Sequence, residues 1–141
     1  MIKFEQLPHG ILSKVPELEK ALSQDEHIIF AYLFGSAASG RLRPLSDVDV
    51  AVYVKDTDSL AQYKLSLFDR LTRILGTTEL DLVILNEAST NIAGRVLSNK
   101  RILADKDPFR RHRYESLVLR EFFDFKIKED GLYFRRYGIG R

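Results

Sequence analysis

The chain has no cysteine among its 141 residues. That absence excludes a disulfide framework, a thiol nucleophile and a thiolate zinc site, and it is compatible with a reducing compartment. No apolar run approaches the roughly 18 residues that a membrane-spanning helix needs. The opening "MIKFEQLPHG" also lacks the apolar core of a signal peptide. A cytoplasmic protein without membrane attachment is therefore expected. The three histidines, His9, His27 and His112, stand too far apart in sequence to form a metal motif. Charge of one sign is scarce as well: the formal net charge is +2, too small to imply nucleic-acid binding. The basic excess sits at the C-terminal end, where residues 110–141 carry nine Lys/Arg against five Asp/Glu. Within it "RRHRY", Arg110 to Tyr114, opens a helix with an apolar stripe and reads as surface cover. There is no repeat, low-complexity segment or linker, so one domain is expected over residues 1–141, with a core of about 12–125.

What the chain does contain is an alternation of strand-length apolar runs with segments of helical period, the pattern of an α/β or α+β domain with helices packed on a sheet. Pro16 suits the first turn of a helix with Leu18, Ala21 and Leu22 inward. "HIIFAYLF", His27 to Phe34, is apolar enough to be a strand buried on both faces. "DVDVAVYV", Asp47 to Val54, is a second strand. Asp58 as N-cap and Gly76 as terminator bracket a helix whose inward positions are Leu60, Tyr63, Leu67, Leu71, Ile74 and Leu75. "ELDLVIL", Glu79 to Leu85, is a third strand, followed by a helix over Ser89–Ser98 with Ile92, Val96 and Leu97 inward. A short strand "RILAD" comes next. From Pro108 a last helix is expected to bury Tyr114, Leu117, Val118, Phe122 and Phe125, with Phe123 also assigned to the core. The final sixteen residues, "KIKEDGLYFRRYGIGR", show no clear period. Their aromatic and arginine content, Tyr133, Phe134, Tyr137, Arg135, Arg136 and Arg141, suits a partner contact as well as a loose terminus.

The chemistry is concentrated in "LFGSAASGRLRPLSDVDVAVYV". Side chains two apart in a strand share a face, so Asp47 and Asp49 are expected side by side. Like charges roughly 5 Å apart repel by about 3 kcal/mol at an effective dielectric near 20, a cost that a divalent cation removes. Carboxylate oxygens suit Mg²⁺, which completes its shell with water and phosphate oxygens. Asp81, flanked by Leu80 and Leu82 in the next strand, can complete a cluster able to hold two ions. Gly35 and Ser36 end the first strand. If Ser36 opens a short helix "SAASGR", its amides and the bare Gly35 form a place for phosphate. Arg41 and Arg43 lie near that place, where they serve either phosphate or partner binding or loop solubility.

This ordered set, Gly35 and Ser36, ten residues, Asp47 and Asp49, then Asp81, resembles the signature of the nucleotidyltransferase superfamily that includes DNA polymerase β. The length, the "SDVDVAVYV" strand and the ending "LVLREFFDF" further resemble the minimal nucleotidyltransferases that act as antitoxins to HEPN-domain ribonuclease toxins. The resemblance spans about residues 12–125. It implies a nucleotidyltransferase fold with a mixed sheet, and transfer of AMP from ATP to a tyrosine hydroxyl of a cognate HEPN toxin. It also implies two Mg²⁺ ions, with Mn²⁺ able to substitute. By position, Asp47 and Asp49 would be metal ligands, Asp81 would bind the catalytic metal and draw the proton from the attacking hydroxyl, and Gly35 and Ser36 would hold the outer phosphates. Direct nucleic-acid binding is not expected. Two other functions stay open at this point: neutralisation by occlusion with a vestigial nucleotide site, and transfer to RNA or a small hydroxylated molecule.

Overall fold

The nearly unbroken apolar run after His27 becomes an inner strand of the sheet, β1 (Ile28–Phe34), buried along almost its whole length. The structure is a computed structural model and describes residues 10–39 and 47–137. A strand buried on both faces needs cover on both, and the sequence supplies it with helices on either side. A short 3₁₀ turn (Ile11–Lys14) leads into α1 (Val15–Gln24), with Pro16 in its first turn, where the missing N–H costs nothing. Then come β2 (Val48–Val54), α2 (Leu60–Leu75), β3 (Leu80–Ile84), α3 (Thr90–Ser98), β4 (Lys100–Asp105) and α4 (Pro108–Tyr137). The sheet order is β3-β2-β1-β4, with β1 antiparallel to both neighbours and β2 parallel to β3. The one parallel pair is the pair joined through a helix, as a parallel crossover requires. The result is the expected α+β arrangement with a mixed sheet.

Alternation along the strands divides the core in two. Val48, Val50, Val52 and Val54 of β2 join Leu80, Leu82 and Ile84 of β3 against Leu18 and Leu22 of α1 and Leu67, Leu71 and Leu75 of α2. On the opposite face Phe30, Tyr32 and Ala51 pack with Ala93, Val96 and Leu97 of α3 and Val118 of α4. Asp49, two residues before Ala51, and Asp81, two before Val83, belong by the strand period to this second face. α2 ends as expected, with Gly76 left-handed at φ 71° and its N–H on the Thr72 carbonyl. Its N-cap is Ser59, whose hydroxyl accepts from the Gln62 N–H, and not Asp58.

Three expectations for the helices are corrected. Ile92 is 44% exposed; Val96 and Leu97 are buried as expected, and Ala93 and Gly94 take the rest of the contact face of α3. Gly94 matters here because a Cβ would run into the Phe122 ring, so only a glycine lets α4 come this close. On α4, Leu117, Phe123 and Phe125 are each more than half exposed, while Val118 is buried. Finally, the segment from Lys126 is not an irregular tail: α4 continues to Tyr137. No period marks this stretch because residues 126–131 are exposed, and a solvated helix turn needs no apolar stripe when Lys, Glu and Leu carry helical propensity by themselves. Residues 1–9 and 138–141, with His9 and Arg141, lie outside the described residues. Among the described residues no helix is long and apolar enough to cross a membrane.

Away from the carboxylate pair, Asp25 ties three elements together. Its carboxylate accepts from the His27 N–H (2.8 Å), the Tyr63 hydroxyl (2.7 Å) and Arg70 Nη2 (2.6 Å), and its carbonyl accepts from Lys106 Nζ. Burial alone would raise its pKa, but these donors and the Arg70 charge hold it below the ordinary carboxylate value. A lowered folded-state pKa stabilises fully above the unfolded value near 4 and is lost as pH falls through the folded one. Asp25→Ala should cost about 2–3 kcal/mol in urea unfolding at neutral pH, by stranding three donors. Asp25→Asn should remove the part of the acid-induced loss that falls below about pH 4. A wild-type acid profile identical to that of Asp25→Asn would contradict this.

Candidate active site

β1 ends in extended backbone at Phe34 and turns at once through a single 3₁₀ turn, Gly35–Ala37, closed by the Ala38 N–H on the Gly35 carbonyl at 3.1 Å. Gly35 is at φ +70°, a region costly for residues with a side chain. It also lies against β2: an added Cβ would stand 2.5 Å from Asp49 Oδ2. The Gly-Ser pair and the second aspartate of the motif are thus direct neighbours, and the space beside that carboxylate is kept open by the missing side chain. The helix expected over "SAASGR" is only this one turn. Gly40 and Arg41, as well as Arg43, lie outside the described residues.

Asp49 occupies the second position of β2, facing Phe34 on one side and Asp81 of β3 on the other. The parallel register pairs Asp49 with Asp81 directly, and residues so paired project from one face at strand spacing, about 4.8 Å. The same row continues to β4, where Phe34 faces Lys100. Lys100 Nζ stands 3.8 Å from Glu115 Oε2 and 5.9 Å from the centre of the Tyr32 ring. Asp47 is placed differently from expectation. β2 begins at Val48, whose N–H bonds the Glu79 carbonyl, so Asp47 precedes the strand and the pleat does not fix its direction. Among the described residues no three His, Cys, Asp or Glu side chains are gathered closely enough to hold a metal ion. The backbone brings Asp49 and Asp81 into register with Asp47 two residues away, and the three carboxylates do not form a closed cluster.

A residue that sequence reasoning missed fastens the Gly-Ser turn. Asn99, between α3 and β4, accepts from the Gly35 N–H (3.1 Å) with its carbonyl. Its amide Nδ2 donates to the Gly35 carbonyl (3.0 Å) and to Ser39 Oγ (2.8 Å). No spacing or period marks a lone asparagine for this role, because its partners are about sixty residues away.

The family model for polymerase beta nucleotidyltransferases matches residues 16–109, two thirds of the chain. The chain belongs to that family. Its fold is shared with solved structures of toxin–antitoxin complexes. One, described as a toxin-antitoxin with AMP-PNP, is 22% identical with a TM-score of 0.67, over 86% of this chain and 94% of that one. Another contains a tri-AMPylated HEPN toxin of Shewanella oneidensis with its MNT antitoxin, at 20% identity and TM-score 0.67, over 87% and 95%. A third, the toxin–antitoxin MntA–HepT, is 20% identical with a TM-score of 0.62, over 87% and 93%. No curated protein sequence matches the chain.

Beside the carboxylate row a part-buried polar network seats α4. Tyr32 donates to Glu115 Oε2 (2.7 Å), and Arg111 bridges Glu115 Oε1 (3.0 Å) and Asp105 Oδ2 (2.9 Å). Burial first, and then the bond to Glu115, pushes the Tyr32 hydroxyl far above its ordinary value, so it stays a donor. Beyond this anchor the outer side of α4 is open. Phe109, Leu117, Arg110, Arg113 and Arg120 line a groove with Tyr53 at the far end of β2. That groove lies four residues along the strand from Asp49, about 13 Å away at strand rise, and is separate from the carboxylates.

Proposed function

We propose that the chain is an antitoxin that transfers AMP from ATP to a tyrosine hydroxyl of a HEPN-domain toxin. The observation that carries the reading is the placement of Asp49: in register with Asp81 and directly against the bare face of Gly35. Facing carboxylates suit a hard divalent cation such as Mg²⁺ or Mn²⁺, and the glycine leaves the space that a larger residue would fill. Asp47, Asp49 and Asp81 would hold two such ions. When bound, these would neutralise the triphosphate and polarise the α-phosphate.

The chain's own groups divide the remaining work. The turn headed by Gly35 and Ser36 would receive the outer phosphates. Asp81, the exposed member of the carboxylate pair, would take the proton as the tyrosine oxygen bonds to the α-phosphorus. The bond from that phosphorus to the β-phosphate oxygen breaks, and pyrophosphate leaves. The acceptor must be positioned, which costs several kcal/mol of orientational entropy unless an interface supplies it. The open face of α4 suits such an interface: Phe109, Leu117, Phe123 and Ile127 are all exposed there, beside arginines of the type found at interface hot spots.

The same exposed face supports a second reading, in which binding alone neutralises the toxin. Co-expression separates the two. At equal expression Asp49→Asn should still bind the toxin yet restore growth at least about tenfold less well than wild type, the step from covalent inactivation to bare occupancy. Equal protection by the variant would favour occlusion.

A further inference from the structure

We propose that Asn99 is a positioning residue for the nucleotide, holding the turn of residues 35–39 in the shape that receives the outer phosphates of ATP. The inference rests on the reading above, in which that turn binds the triphosphate, and adds a residue from a distant part of the chain.

The geometry is that of a clamp. β1 and β4 run antiparallel with Phe34 facing Lys100, so the next residue of β1, Gly35, meets the residue before β4, Asn99. Asn99 uses its carbonyl to accept from the Gly35 N–H and its side-chain amide to donate to the Gly35 carbonyl. Both backbone groups of the residue at φ +70° are thereby fixed. The second Nδ2 proton goes to Ser39 Oγ at 2.8 Å, so one amide holds both ends of a turn whose middle contains Ser36. Only a side chain with two donors at this length can do this; aspartate has the shape without the donors. Asn99 itself is exposed and lies outside both core clusters, so its loss removes little of what folds the domain. A surface residue tied to both ends of a turn acts on local geometry more than on global stability.

The test uses the full-length protein, ATP with Mg²⁺, and three variants: Asn99→Ala, Asn99→Asp and Ser36→Ala. Asn99→Ala should weaken ATP binding in calorimetry by about tenfold to thirtyfold, the effect of two lost hydrogen bonds. Asn99→Asp should lose at least as much, having the same shape but a negative charge near the phosphates. In AMP transfer the ATP KM should rise by a similar factor with kcat changing less than threefold, as loss of ground-state binding requires. Hydrogen exchange of the amides in residues 35–39 should quicken while the melting temperature stays near that of wild type. The double variant Asn99→Ala with Ser36→Ala should lose less than the product of the single losses, because both act through one turn. Unchanged ATP affinity in Asn99→Ala would overturn the proposal. So would a variant that fails to fold, or one whose kcat falls while KM holds. If wild-type protein binds no ATP, the phosphate role of the turn fails first and this inference falls with it. That outcome is visible without any variant.

Discussion

Asp49→Asn should lower AMP transfer by at least a thousandfold and leave the fold intact. The carboxylate lies in the row Asp81, Asp49, Phe34, Lys100 across all four strands, so it stands between Asp81 and the turn at Gly35. Exchanging one oxygen for an amide keeps the shape but removes a charge that a divalent ion needs as ligand. Several kcal/mol of transition-state stabilisation would go with it, which is on the order of 10³ in rate. Stability should move little, because the amide keeps the shape of the side chain it replaces. Transfer assays at saturating ATP, with thermal unfolding alongside, check both halves. Transfer within tenfold of wild type would remove Asp49 from the site.

Gly35→Ala is expected to be nearly as damaging by a different route. The position has φ +70° and its new Cβ would stand 2.5 Å from Asp49 Oδ2, so either the turn or the carboxylate must shift. The left-handed backbone alone costs about 1–2 kcal/mol for a residue with a Cβ. A displaced carboxylate then costs rate, since misplacement near 1 Å can be worth about a hundredfold. Transfer should therefore fall at least about a hundredfold, with stability down by roughly 1–2 kcal/mol. Gly131→Ala makes the control. It lies within α4 with nothing within 4 Å of its added Cβ, so helix propensity should make that change neutral or stabilising by up to about 1 kcal/mol. If Gly35→Ala behaved like Gly131→Ala, the close approach of turn and carboxylate would not matter to function.

Much of this was legible in the sequence, for reasons that can be located. β1 was readable because burial on both faces leaves an unbroken apolar run, and α2 because Gly76 stops it and one apolar stripe runs its length. The pairing of Asp49 with Asp81 was half readable: the apolar neighbours of each aspartate put it on a strand face, but only the parallel register makes them face each other. For Asp47 the strand begins one residue later than expected, so the rule that two-apart side chains share a face does not by itself set its direction. Asp58 and Ser59 are equally good caps by type, and backbone geometry chose the second. The failures on α3 and α4 share one cause. Large apolar residues were assumed to face inward, yet Gly94 and Ala93 make the contact while Ile92 and Leu117 stay exposed. Which face of a helix packs depends on how closely its neighbour approaches, and that is settled by the smallest residues. Asn99 could not be found at all, since its role exists only where β4 begins beside the end of β1.

The most direct test is intact-mass analysis of a candidate HEPN-domain toxin, taken from the reading frame next to this chain's own, after incubation with purified protein, ATP and Mg²⁺. The expected result is a toxin heavier by whole AMP groups, mapped to tyrosine, with pyrophosphate released. The gain should vanish in EDTA and with Asp49→Asn. A toxin that is neutralised yet unchanged in mass would contradict the central claim.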